Sequence, residues 1–82
     1  MNVVLSKNAQ KEYERLPKSD QKKILKKLTS LEQNPYLGKK LIGEFTGVYS
    51  VHAWPYRIIY DINQAAKRVE IHKIAHRQGV YK

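Results

Sequence analysis

Apolar positions along the chain change their spacing twice, and the changes divide it into elements. Asn2 to Leu5 (NVVL) is a short β-prone run that reads as a strand. Ser6 follows as an N-cap, its hydroxyl placed to accept from an open backbone amide of the first turn. From about Lys7 to Leu16 the apolar residues Ala9, Tyr13 and Leu16 recur at intervals of four and three, which predicts a helix that Pro17 ends. Ser19 or Asp20 is expected to cap a second helix reaching about Gln33. Its Ile24, Leu25, Leu28 and Leu31 are expected on one side and Lys22, Lys23, Lys26 and Lys27 on the other. The two make a helical hairpin with a basic back, most simply a solvated surface, with RNA or ribosome contact as the alternative.

Asn34, Pro35 and Gly38 break the helical spacing and mark a loop. Beyond it the pattern alternates with a period of two, predicting strands over roughly Glu44 to Ala53, Tyr56 to Ile62 and Arg68 to His76. Trp54-Pro55 and Asn63-Gln64-Ala65-Ala66 are short enough to make antiparallel hairpins of neighbouring strands. The expected architecture is therefore α+β, in the order β-α-α-β-β-β. An N-terminal strand and a helical hairpin precede a three-stranded antiparallel meander, and the helices pack on one face of the sheet. There is no internal repeat, and residues 1–82 read as a single domain, since a chain this short buries only about 60% of its unfolded surface and does not support two cores.

Alternation assigns faces to the strands. Ser50 and His52 share one side of the first long strand, opposite Tyr49, Val51 and Ala53. Arg57, Ile59 and Asp61 share a side of the second, opposite Tyr56, Ile58, Tyr60 and Ile62. The third places Ile71, Lys73, Ala75 and Arg77 together, opposite Glu70, His72, Ile74 and His76. With helices on one face, the uncovered face collects Ser50, His52, Arg57, Lys73 and Arg77 over a floor of Ile59 and Ala75. A guanidinium offers a planar fork of donors that fits phosphate oxygens in pairs, and the phenol of Tyr81 is suited to stacking on a base. The plain structural alternatives are an Arg57–Asp61 pair along one strand and a packing role for Tyr81.

Charge narrows the partners. Sixteen Lys and Arg against seven Asp and Glu give a formal charge of +9, a field that attracts nucleic acid, an anionic membrane surface or an acidic protein segment. The chain has no cysteine, so neither disulfides nor thiolate metal sites reinforce it. His52, His72 and His76 are not joined by a carboxylate or thiolate cluster, which argues against a zinc site, and no metal or cofactor is expected. The amino terminus lacks the apolar run of a signal peptide and no segment approaches the ~20 apolar residues of a membrane span, so a cytosolic protein without a membrane partner is expected.

The segment LIGEFTGVYSVHAWPYRIIYDI, continued by VEIHKIAHRQGVY, is similar to the RelE/ParE superfamily of toxins of bacterial and archaeal type II toxin–antitoxin systems, in the RelE branch. The resemblance rests on Leu41 and Gly47, the Tyr49-Ser50 strand, Tyr56-Arg57 through Tyr60, and the closing His76-Arg77 and Val80-Tyr81, with the helical hairpin and Asn34-Pro35 ahead of them. It implies a ribosome-dependent endoribonuclease that cuts mRNA by attack of the RNA's own 2′-hydroxyl on the adjacent phosphate, without a metal. Arg57 and Arg77 match the arginines that steady the reacting phosphate, and Tyr81 matches a late tyrosine that stacks on a base and can carry a proton. Ser50 and His52 stand where the best-known branch member has lysines. Histidine, with an unperturbed pKa of about 6.5, can act as base at neutral pH. His52 is therefore the expected general base and His76 its rival. Ser50, Lys73, His76, Lys39 and Lys40 are the expected RNA contacts. The implied partners are mRNA on the ribosome and a cognate antitoxin whose acidic, amphipathic or extended segment wraps the basic face. Two other functions stay open: a ParE-type toxin that poisons gyrase without nuclease chemistry, and an inactive module that only binds its antitoxin.

Overall fold

The structure, a computed structural model, describes residues 1–40 and 47–76. Leu41, residues 44–46 of the expected strand, Arg77, Val80 and Tyr81 lie outside the described residues. The elements run β1 (Asn2–Leu5), α1 (Lys7–Glu14), α2 (Lys18–Gln33), a 3-10 turn (Pro35–Leu37), β2 (Lys39–Lys40), β3 (Tyr49–Ala53), β4 (Tyr56–Asn63) and β5 (Arg68–His76). The sheet has five strands in the order β1-β5-β4-β3-β2. β1 is parallel to β5, and β2 to β5 are joined antiparallel in chain order. The α+β expectation holds. β2 is not among the strands the pattern predicts, because two exposed lysines carry no strand pattern; it exists by pairing Lys39 with Ser50 and Lys40 with Tyr49.

Two helix boundaries differ from the pattern. Ser6 caps α1 as expected, accepting from Ala9 N–H at 3.0 Å, but α1 ends at Glu14 and Leu16 packs on the core from beyond it. α2 has Pro17 at its N-cap position and no side-chain cap. Neither Ser19 nor Asp20 serves there. Asp20 instead sits in the first turn, where Tyr56 Oη donates to its carboxylate at 2.7 Å and ties α2 to the start of β4. That bond to an anion pushes the Tyr56 phenol pKa above its ordinary value. Ile24, Leu28 and Leu31 of α2 are buried, whereas Leu25 is 51% exposed because the stripe is narrower than four residues per two turns.

The core lies between the helices and one face of the sheet. Ile58 and Tyr60 of β4, Val69, Ile71 and Ile74 of β5 and Val51 of β3 meet Ala9, Ile24, Leu28 and Leu31 there. Full burial of each large aliphatic contributes about 1.5–3 kcal/mol. The face assignment of β5 needs one correction. Ile59 pairs with Lys73 but Tyr60 pairs with Ile71, so His72 is an extra residue in β5. This bulge reverses the alternation at His72. Ile71 and Ile74 thus both point into the core, while Glu70, Lys73 and Ala75 share the uncovered face. At the same level Ile74 N–H, beyond the end of β1, donates to Glu12 of α1 at 2.9 Å.

Tyr60 anchors the loop that precedes β2. It is fully buried, stacks on Tyr49 with ring centroids 5.4 Å apart, donates to the Pro35 carbonyl at 2.8 Å and accepts from Gly38 N–H at 3.0 Å. Gly38 can approach this closely only without a side chain, since a Cβ there would sit 2.7 Å from both Ser50 O and Tyr60 Oη. Gly38→Ala is accordingly expected to destabilise the protein by about 2 kcal/mol, read as a melting temperature lowered by roughly 10 °C. An unchanged melting temperature would contradict this packing.

Burial is the main reason the Tyr60 phenol pKa is raised. A raised folded-state pKa means the folded protein holds its proton more tightly, so stability is intact below the unfolded value of about 10 and falls as pH rises beyond it. Denaturant titrations above that pH are expected to show this loss, with a shallower slope in Tyr60→Phe.

Candidate functional site

β3 and β4 build the uncovered face around the two-residue turn Trp54-Pro55, whose peptide bond is cis. Val51 and Ala53 face the core, which turns Ser50 and His52 the other way. The antiparallel register sets His52 directly opposite Arg57 and Ser50 opposite Ile59. Arg57 in turn lies beside Ala75 of β5, a small side chain that leaves its stem room. Charge on this face follows from burial. A guanidinium turned to the helix side would lie among Ile58, Tyr60 and Ile74, where a desolvated, unpaired charge costs several kcal/mol.

A cleft of about 410 Å³ opens at this point, lined by Gly38, Lys39, Ser50, His52 and Arg57 among others. Arg57 Nη2 lies 3.1 Å from His52 Nε2. A guanidinium has only donors to offer, so Nε2 is the acceptor and the ring is held as the Nδ1–H tautomer. Ser50 is 6% exposed, and its Oγ has no hydrogen-bond partner among the described residues although it lines the cleft. A buried hydroxyl of this kind can be satisfied by water or by a bound polar group. The site thus combines a permanent cation, a neutral imidazole with a lone pair toward that cation, a buried hydroxyl and the Lys39 ammonium. Such a set suits a phosphate ester.

The other expected site residues divide by register. Lys73, paired with Ile59, is exposed on the same face as Arg57. Lys40 pairs with Tyr49 and so belongs to the opposite side from Lys39. His76 pairs with Tyr56 on the helix side, its ring 5.6 Å from the Tyr56 ring in an edge arrangement, and is not brought to the cleft. Asp61 is engaged by His72, with Oδ2 and Nε2 3.1 Å apart, so the pairing of Arg57 with Asp61 is not the arrangement found. Arg77 and Tyr81 lie outside the described residues. Among the described residues no three His, Asp or Glu side chains are grouped as metal ligands, and no helix is long and apolar enough to cross a membrane.

Sequence reasoning placed His52 and Arg57 on one face but missed that they touch. The signal was present, since a two-residue turn at Trp54-Pro55 makes residues 52 and 57 a cross-strand pair. Gly38 as a wall of the site had no such signal. Its role depends on the Tyr60 hydroxyl, distant in sequence.

The model of the family described as ParE toxin of type II toxin-antitoxin system, parDE, matches residues 3–81. The chain is 31% identical over 83 residues to Toxin RelE of Mycobacterium tuberculosis, covering 99% of this chain and 86% of that protein. The RelBE2 toxin–antitoxin complex from the same organism contains a chain with a TM-score of 0.86 at 26% identity, with 93% of this chain and 96% of that one covered. In the archaeal RelE–RelB complex from Pyrococcus horikoshii the corresponding values are a TM-score of 0.79, 30% identity, and 93% of each chain.

The unsatisfied hydroxyl gives a test of the site's construction. Ser50→Ala removes a buried polar group without removing a hydrogen bond made within the described residues, so the melting temperature is expected to stay level or rise by a few degrees. A fall of several degrees would show that Ser50 Oγ is structurally bound.

Proposed function

We propose, from the premise that this chain belongs to the RelE/ParE superfamily of toxins of type II toxin–antitoxin systems, that it is a ribosome-dependent endoribonuclease acting on mRNA. The observation that carries this reading is the His52–Arg57 pair lining a basic cleft. In the proposed reaction the 2′-oxygen of the message attacks the neighbouring phosphorus as the P–O5′ bond breaks, leaving a 2′,3′-cyclic phosphate and a 5′-hydroxyl. His52 Nε2 takes the 2′-hydroxyl proton. Arg57 stabilises the charge that gathers on the phosphate oxygens. In the free protein Arg57 occupies the Nε2 lone pair. An entering phosphate competes for the guanidinium and draws it away, so substrate binding exposes the base. Arg77 helps hold the phosphate or the leaving group, and Tyr81 stacks on a base and returns a proton to the 5′-oxygen. Lys39, Lys73 and Ser50 contact the RNA. No step requires a metal, because the nucleophile is already tethered beside phosphorus.

The protein partner in this reading is a cognate antitoxin, as in the two complexes above. The match to the model described as ParE toxin favours one second reading, a toxin that poisons gyrase without nuclease chemistry.

Mapping mRNA 5′ ends on programmed ribosomes separates the readings. Wild-type protein is expected to create ends inside the A-site codon, and Arg57→Ala to slow their formation by about 10²–10³-fold. In single-turnover cleavage His52→Ala is expected to lose at least about 10²-fold, with His76→Ala within a few-fold of wild type. The reverse order would transfer the base to His76. No ends from folded wild-type protein would favour the gyrase-poisoning reading.

A further inference from the structure

The uncovered face does not end at His52. A second groove of about 300 Å³ runs from it between α2 and the β3–β4 turn, lined by Lys23, Lys26, Lys27 and Ser30 on one wall and by His52 and Trp54 on the other. The helical wall is a single stripe, since positions 23, 26, 27 and 30 follow the i, i+3, i+4, i+7 spacing of one helix face. No carboxylate lines the groove among the described residues. Trp54 stands at the tip of the turn and is 62% exposed, an unusual place for the chain's single tryptophan. Because His52 borders both cavities, a polymer whose phosphate sits at Arg57 continues into this groove without leaving the surface.

We propose that this groove is a second single-stranded RNA subsite, in which Trp54 stacks on the base of a nucleotide flanking the scissile phosphate while Lys23, Lys26 and Lys27 take the adjoining phosphates. The inference rests on the nuclease reading for the identity of the RNA as message. Its physical content is narrower: a cationic groove with an aromatic stacking surface is what sequence-tolerant binding of a single strand requires. The groove's volume suits one nucleotide, and the lysines supply point charges that follow a flexible backbone where the Arg57 fork fixes one phosphate. Trp54 and the α2 stripe come from opposite sides of the groove, so a base and its phosphate can be engaged together.

The test uses full-length protein, no ribosome, and a fluorophore-labelled hexanucleotide with every 2′-hydroxyl methylated, which binds but offers no nucleophile. Because Trp54 is the sole tryptophan, emission excited beyond tyrosine absorption reports its stacking directly. Binding at low salt, followed by anisotropy, is expected to quench that emission, and the same probe without its bases to leave it unchanged. Trp54→Ala is expected to weaken binding roughly tenfold, with Trp54→Phe recovering most of the loss. Changing Lys23, Lys26 and Lys27 together to Gln is expected to flatten the plot of log K against log salt by about 2, at about 0.7 per phosphate contact. Glutamine keeps α2 helical, and circular dichroism verifies each variant's fold. Failure of the probe to bind at low salt, binding without quenching, or variants that bind like wild type would each overturn the subsite. Quenching by a wild-type protein that cuts no message would retain the subsite and remove the nuclease reading. Cleavage unaffected by the Trp54 and lysine changes would do the opposite.

Discussion

The register between β3 and β4 is the constraint from which the rest of the molecule follows. β4 is the middle strand of five and has neighbours on both edges, so each of its side chains must commit to one face. A shift of one residue would exchange Ile58 and Tyr60 for Arg57 and Ile59 in the core. Hydrocarbon on one side therefore compels charge on the other, and the short Trp54-Pro55 turn then leaves His52 no opposite partner but Arg57. Core packing and the composition of the cleft are two results of a single pairing. In the proposed reaction, the contact at 3.1 Å between Arg57 and His52 is where that pairing becomes chemistry.

Tyr60 carries the same coupling through the sheet. Its ring belongs to the core, yet its hydroxyl holds Pro35 and Gly38 in place. Those residues lead directly into Lys39, which reaches the cleft because it pairs with Ser50. The wall of the site is thus fixed from behind by a buried phenol. On the opposite side, Tyr56 and Asp20 pin α2 to the beginning of β4, which sets the distance between the lysine stripe and the β3–β4 turn.

Local pattern carried the helices, four of the five strands and the face of Arg57, because each depends on the spacing of residues within one segment. What escaped it depends on contacts between segments. The extra residue at His72 shows in the sequence of β5 only as a change of apolar spacing, from two between Val69 and Ile71 to three between Ile71 and Ile74, which strict alternation passes over. β2 is a strand only because Ser50 and Tyr49 lie beside it. Asp20 resembles a cap and acts as an acceptor for Tyr56 Oη, a choice made by the position of β4. His76 lies near Arg77 in sequence, but pairing with Tyr56 takes its ring to the helix side.

The central claim is that Arg57 and His52 work as one unit. A double-mutant cycle measures it: single-turnover cleavage of ribosome-bound mRNA by wild type, Arg57→Ala, His52→Ala and the double variant, each verified as folded. If the two side chains act as one unit on a single transition state, the double variant should lose little more than the worse single variant. Losses that multiply, so that the double variant is slower by the product of the two single effects, would mean that the residues act independently and would contradict the account.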